Sequence, residues 1–216
     1  MGYDITFHSI SKNELKQFFF DIIIDPSCAE ARSKSIPASE EKQKAMYEHL
    51  YKDNLVPWGE LVRQGKGETM GDISPSFSMA AAAISGYLHP YHYSRNFSLS
   101  LISDKFPEVR GYFTSLTNVD GSPLVGLSDS DNGLISSNYC SSGVSDKPSS
   151  ILEFIKNNEE SLITEYGSDE ISAIKCCLDY CISNDLLFIE AAEIVFPLGD
   201  ECFSDIDNLR AYFLNQ

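Results

Sequence analysis

Glu190 and Glu193 stand in an otherwise apolar run, NDLLFIEAAEIVFP at 184 to 197, where ionisable groups need a reason. A carboxylate pair can work as an acid/base couple, supply half a metal site, or mark a solvated edge beside core residues. On a helix the two would share a face, whereas on a strand the period of two sends them to opposite faces. FIEAAE contains good helix formers and EIVFP is β-branched and aromatic, so the pattern predicts a helical turn passing into a strand. A catalytic couple would need a third polar partner that the run does not supply. Solvated or capped carboxylates beside a core run are therefore the reading taken forward.

Other chemistry-bearing residues fall short of complete sites. HPYHY places His89 and His92 three apart, but Pro90 lies between them and no second ligand pair follows, so an aromatic turn is expected. Within it Tyr91, His92 and Tyr93 are a candidate partner-binding patch, tyrosine being enriched at interface hot spots. Cys177 and Cys181 share a helical face as core thiols. YCSSG around Cys140 offers a nucleophile with neither a nucleophile elbow nor an evident base. SDSDNG puts Ser128 and Ser130 where a calcium loop needs carboxylates and Tyr139 where it needs a glutamate, so it reads as an acidic turn. RQGKGETMG is too loose to cradle a phosphate. No catalytic, cofactor-binding or metal-ligating residue is assigned, and neither a cofactor nor an enzymatic activity is expected.

The elements that must position these residues follow from periodicity and caps. YDITFHSI alternates as a first strand and runs into a capping box, Ser11 with Glu14, ahead of the apolar face of ELKQFFFDIII; Asp25-Pro26 ends that helix. A second helix carries Ala45, Met46, His49 and Leu50 on one face and is expected to break at Pro57. SPSFSMAAAAISGYLH reads as a buried helix of small residues. FSLSLIS at 97 to 103, GYFTSLTNV at 111 to 119, LVGL and GLIS read as strands, separated by the turns DGSP and SDSDNG. Helices return from Pro148, with Ser150 and Glu153 as a second capping box, and again from about Asp169 to Ser183. With no internal repeat and no long linker, residues 1–216 are expected to form a single α+β domain, a mostly antiparallel sheet packed with several helices.

The 216 residues are 43% hydrophobic, enough for a sizeable core, and the longest apolar run, MAAAAI, is far too short to span a bilayer. The N-terminal residues lack the basic and apolar regions of a signal peptide, MGYDIT fits the myristoylation pattern only loosely, and the six cysteines lack the spacing of a disulfide scaffold. Reduced thiols and a cytoplasmic location are expected. The net charge of −16 is unevenly placed: residues 1–108 carry 11 basic and 14 acidic groups, residues 109–216 carry 5 and 18. Such a surface repels phosphate backbones and anionic membranes and attracts basic proteins. The turn residues Asp120, Asp129 and Asp131 are the candidate rim for such a partner.

The opening MGYDITFHSI with its capped helix, and the late polar helix followed by NDLLFIEAAEIVFP, resemble the small bacterial immunity proteins encoded beside polymorphic toxins. The likeness covers about 40 residues at the two ends and carries over no individual residue. It implies a cytoplasmic protein that binds one cognate toxin domain, expected to be basic, and occludes its active site. An orphan hydrolase using the carboxylate pair or Cys140, and a structural or scaffold protein, are the competing readings. Oligomeric state is left open.

Overall fold

The computed structural model describes residues 5–65, 74–124, 143–192 and 203–204. Strand β1 (Ile5–Ile10) leads into a helical layer of α1 (Lys12–Leu15), α2 (Asp21–Ile24), α3 (Ala29–Lys34), α4 (Glu40–Ala45), α5 (Val56–Arg63) and α6 (Ser74–Leu88). Then come β2 (Tyr91–Ser94), α7 (Leu99–Ile102), β3 (Thr114–Ser115), β4 (Gly143–Ser145), α8 (Pro148–Asn157), α9 (Glu159–Tyr166), α10 (Ser168–Asn184), β5 (Leu187–Ala192) and β6 (Phe203–Ser204). The fold is α+β, as expected. One sheet runs in the order β3-β4-β5-β1-β2-β6, and every pairing in it is antiparallel.

The two central strands are buried on both faces, so all six residues of β1 are buried, Thr6 and His8 at the polar positions of its alternation included. On one face Ile10, Leu187, Ile189 and Ala191 pack with Phe19, Tyr51 and Ala81 of the α1–α6 layer. On the other, Ile5, Phe7 and Phe188 pack with the apolar sides of α7, α8 and α10. Phe7 and Phe188 stack with ring centroids 5.9 Å apart. The small residues of α6 serve a close approach: Ala80, Ala81 and Ala82 are buried, and Ser85 donates its hydroxyl to Ser9 O at 2.7 Å.

Local signals read correctly where they are strong. Ser11 and Glu14 form the capping box of α1, and Asp25 adopts an extended conformation ahead of Pro26, ending α2. Other expectations are corrected. Pro57 does not break its helix: α4 passes through a π-helical stretch, Met46–Leu55, into α5, and Pro57 sits where π pairing gives way to α pairing, so the N–H it lacks is lost at a point where the backbone ladder already changes. Ser150 is not a cap, because α8 already begins at Pro148. FSLSLIS is not a strand. It contains α7, whose N-cap Ser98 accepts a hydrogen bond from Leu101 N–H at 3.1 Å. Of GYFTSLTNV only Thr114–Ser115 pairs as a strand among the described residues, between 3-10 turns at Pro107–Tyr112 and Leu116–Asn118. GLIS, and LVGL beyond Leu124, lie outside the described residues.

Candidate functional site

Glu190 is not on a solvated edge. It sits in β5, where Leu187–Ala192 are strand and the expected helical turn at FIEAA is absent, opposite Phe7 of β1, and is 1% exposed. Its carboxylate receives Leu99 N–H at 2.5 Å, Ser100 N–H at 3.0 Å and the Ser100 hydroxyl at 2.6 Å. Burial pushes the Glu190 carboxyl above the usual range, and these three donors draw it partly back. The side chain fastens the start of α7 to the sheet. Glu193 and Cys140, the other members of the hydrolase reading, lie outside the described residues.

The aromatic patch is also corrected. Tyr91, His92 and Tyr93 belong to β2, with Tyr93 opposite Thr6 and His92 opposite Phe7, and the two tyrosines are buried, so they present no surface to a partner. Tyr91 stacks on the His8 ring at 5.5 Å. Burial depresses His92 to about 4 and His8, with His92 nearby, to about 3. Among the described residues no three His, Cys, Asp or Glu side chains gather as a metal site. The described cysteines, Cys28, Cys176, Cys177 and Cys181, are free thiols.

Asp120 is the candidate rim residue that the structure places on an exposed site; Asp129 and Asp131 lie outside the described residues. Three backbone segments converge there at one end of the sheet. Because β1 and β4 both run antiparallel to β5, the C-terminal ends of β1 and β4 meet the N-terminal end of β5: Ile10 lies opposite Leu187, and Ser145 opposite Phe188. Within two residues of those strand ends lie Lys12, Asp146 and Asp185, all exposed.

Two concavities share Lys12, Asp146 and Leu187. One, of about 470 Å³, reaches Asp185 and Cys181; the other, of about 180 Å³, reaches Asp120 and Asn118. Together they form a groove with three carboxylates and one ammonium along it. Asp185 gets there by an unusual backbone: it ends α10 in the left-handed region, φ 54° and ψ 50°, a conformation that aspartate tolerates better than most residues. Leu186 N–H then bonds Cys181 O at 2.9 Å and turns the chain into β5. Asp146 follows directly on β4, where Ser145 Oγ donates to Tyr112 O at 2.6 Å and accepts from Lys147 N–H at 3.1 Å.

Sequence reasoning found Asp120 but missed Asp146 and Asp185. The sequence ends the long helix at about Ser183, and a helix end followed by a buried strand marks the strand end where such loops gather. Comparison with protein-family models, with curated proteins and with solved structures gives no match.

Proposed function

We propose that the chain is a binding protein that neutralises a cognate toxin domain of basic charge by forming a stoichiometric complex that occludes its active site. The observation carrying this reading is the groove at the strand ends, where Asp120, Asp146 and Asp185 face solvent beside Lys12, the three carboxylates lying within the half of the chain that has 18 acidic and 5 basic groups. Opposite charge speeds encounter by on the order of 10–10³-fold and orients the partner, and a concave acidic end suits basic side chains projecting from a toxin's substrate cleft. The reading places the protein in the cytoplasm. Among the described residues no helix is long and apolar enough to cross a membrane.

The test is co-expression of the chain with the C-terminal domain encoded by the adjacent reading frame, followed by light scattering of the purified mixture. The expected result is relief of growth inhibition and a complex of fixed stoichiometry. An adjacent product that is neither toxic nor bound would refute the proposal.

A further inference from the structure

Glu14 of α1, His89 at the end of α6 and Tyr180 of α10 meet in a hydrogen-bonded series that the binding reading does not use. His89 Nε2 lies 2.8 Å from Glu14 Oε2, and His89 Nδ1 lies 3.3 Å from the Tyr180 hydroxyl. The two rings meet edge to face with centroids 6.0 Å apart. Glu14 is itself held by the capping box, since Ser11 N–H donates to the same Oε2 at 2.8 Å and Ser11 Oγ accepts from Glu14 N–H at 3.1 Å. The histidine is anchored too, its backbone N–H bonding Ser85 O at 2.8 Å.

The carboxylate dictates the tautomer. Burial pushes Glu14 up, but hydrogen bonds from His89 and Ser11 outweigh it and hold the group at about 2, so it is ionised at neutral pH and can only accept. Nε2 must therefore carry the proton that it donates to Glu14. In the neutral imidazole this leaves Nδ1 as the acceptor, facing the phenol. A hydroxyl nucleophile, a base within reach of it, and a third group that orients the base are the parts of an activated-nucleophile site. Burial raises the Tyr180 phenol, which stays protonated at neutral pH and needs such a base.

We propose that Tyr180 is a covalent acceptor site for acyl groups from activated esters, with His89 as its base and Glu14 as the positioning residue. Tyr180 Oη attacks the ester carbonyl carbon while its proton passes to His89 Nδ1, and the imidazolium so formed faces the Glu14 carboxylate. The adduct collapses with cleavage of the ester C–O bond, and the leaving oxygen takes up the proton from His89. The product is an acylated tyrosine plus an alcohol or phenol, with no change of oxidation state. A donor neutral at its reacting end suits the site, because Glu14 in the cluster and Asp179 beside Tyr180 in the sequence repel phosphoryl anions. Tyr180 is partly exposed, and Ser11, which bonds Glu14, and Cys181, which follows Tyr180, line the larger of the two concavities of the groove. This inference stands independently of the toxin-binding reading.

The experiment treats the folded full chain with p-nitrophenyl acetate and follows p-nitrophenolate release together with the acetylated peptides by mass spectrometry. Tyr47 and Tyr112, also partly exposed, serve as internal references within each sample, so that any unfolding raises all three alike. The expected result is acetylation of Tyr180 at least about tenfold faster than of either reference, that ratio collapsing in His89→Gln. Glu14→Gln preserves a capping box while removing the charge, and is expected to lower the ratio several-fold. Tyr180→Phe should remove the fast phase of release. A Tyr180 rate equal to that of Tyr47 and Tyr112 in the wild-type protein, or a ratio unchanged in His89→Gln, would overturn the proposal.

Discussion

Glu190 in β5 holds Ser100 in α7 by two bonds to one oxygen: Oε1 accepts both the Ser100 N–H at 3.0 Å and its hydroxyl at 2.6 Å. Oε2 accepts Leu99 N–H at 2.5 Å, so a strand near one end of the chain supplies acceptors for the first turn of a helix 90 residues earlier. Three donors here stand in for the water that a buried carboxylate has lost.

Glu190→Gln should destabilise the protein by about 1–3 kcal/mol at neutral pH, because the amide NH₂ that replaces one oxygen faces an N–H and leaves a buried donor unpaired. Since burial raises this carboxyl, the folded state holds its proton more tightly than the unfolded chain does. The stabilising contribution is then full below the ordinary carboxylate range and is lost as pH rises through the folded value. Urea unfolding of both proteins between pH 4 and 7 should show the gap widening as pH falls. A gap that narrows on acidification would contradict this account.

His8 titrates in the opposite sense. Its folded value of about 3 lies below that of an ordinary imidazole, so its contribution is present above about pH 6.5 and declines as pH falls toward 3. His8→Phe keeps an aromatic ring against Tyr91 but loses the contact between His8 Nε2 and Thr6 Oγ1 at 2.8 Å. It should change stability by less than about 1.5 kcal/mol at pH 7. At pH 5 the variant should have recovered roughly 2 kcal/mol relative to wild type, the amount that protonating the unfolded histidine removes. Chemical denaturation at the two pH values decides the matter, and an equal difference at both would show that His8 takes up its proton without unfolding.

Gly167 joins α9 to α10 with φ 104° and ψ 155°, a region essentially restricted to glycine. A Cβ there would meet nothing closer than Glu170 Cγ at 3.9 Å, so the cost of Gly167→Ala is one of backbone conformation and not of crowding. The expected loss is about 1–3 kcal/mol, read as a lower urea midpoint with an unchanged slope. An alanine variant as stable as wild type would mean that this linker has another conformation in solution.

The groove makes a kinetic prediction. Replacing Asp120, Asp146 and Asp185 together with Asn should slow association with the cognate partner and flatten its salt dependence, leaving dissociation less affected. Asn also tolerates the left-handed backbone at position 185. The control changes Glu40, Glu41 and Glu48, in α4 and the π-helical stretch that follows it, to Gln. Surface-capture kinetics at two salt concentrations separate the two sets. Equal slowing by the control triple would leave the groove with no special role.

Legibility in the sequence followed the range of the interactions involved. β1, the capping box of α1, the small-residue helix α6 and the long α10 are set by neighbours within a few residues, and their patterns could be read. FSLSLIS could not, since Ser98 caps a helix there and a carboxylate 91 residues distant from Leu99 secures it. Tyr91 and Tyr93 misled for another reason: aromatic residues favour interfaces and cores alike, and only the pairing of β2 with β1 shows which they occupy. Glu190 followed the same rule, because the donors that let it be buried come from another element. Of the site, Asp120 was legible as a turn residue, whereas Asp146 and Asp185 join it through strand pairings that no local pattern reveals.

β1 draws its partners from two distant stretches of the chain: His92 and its neighbours on one side, and on the other β5, where Ile5 faces Ala192 and Ile10 faces Leu187. During translation β1 therefore emerges with an open edge that its eventual neighbour cannot close until the residues of β5 have been made. ITFHSI is β-prone and uncharged, the kind of unpaired edge on which nascent chains pair with one another. A ribosome stalled anywhere before residue 187 would hold this edge exposed.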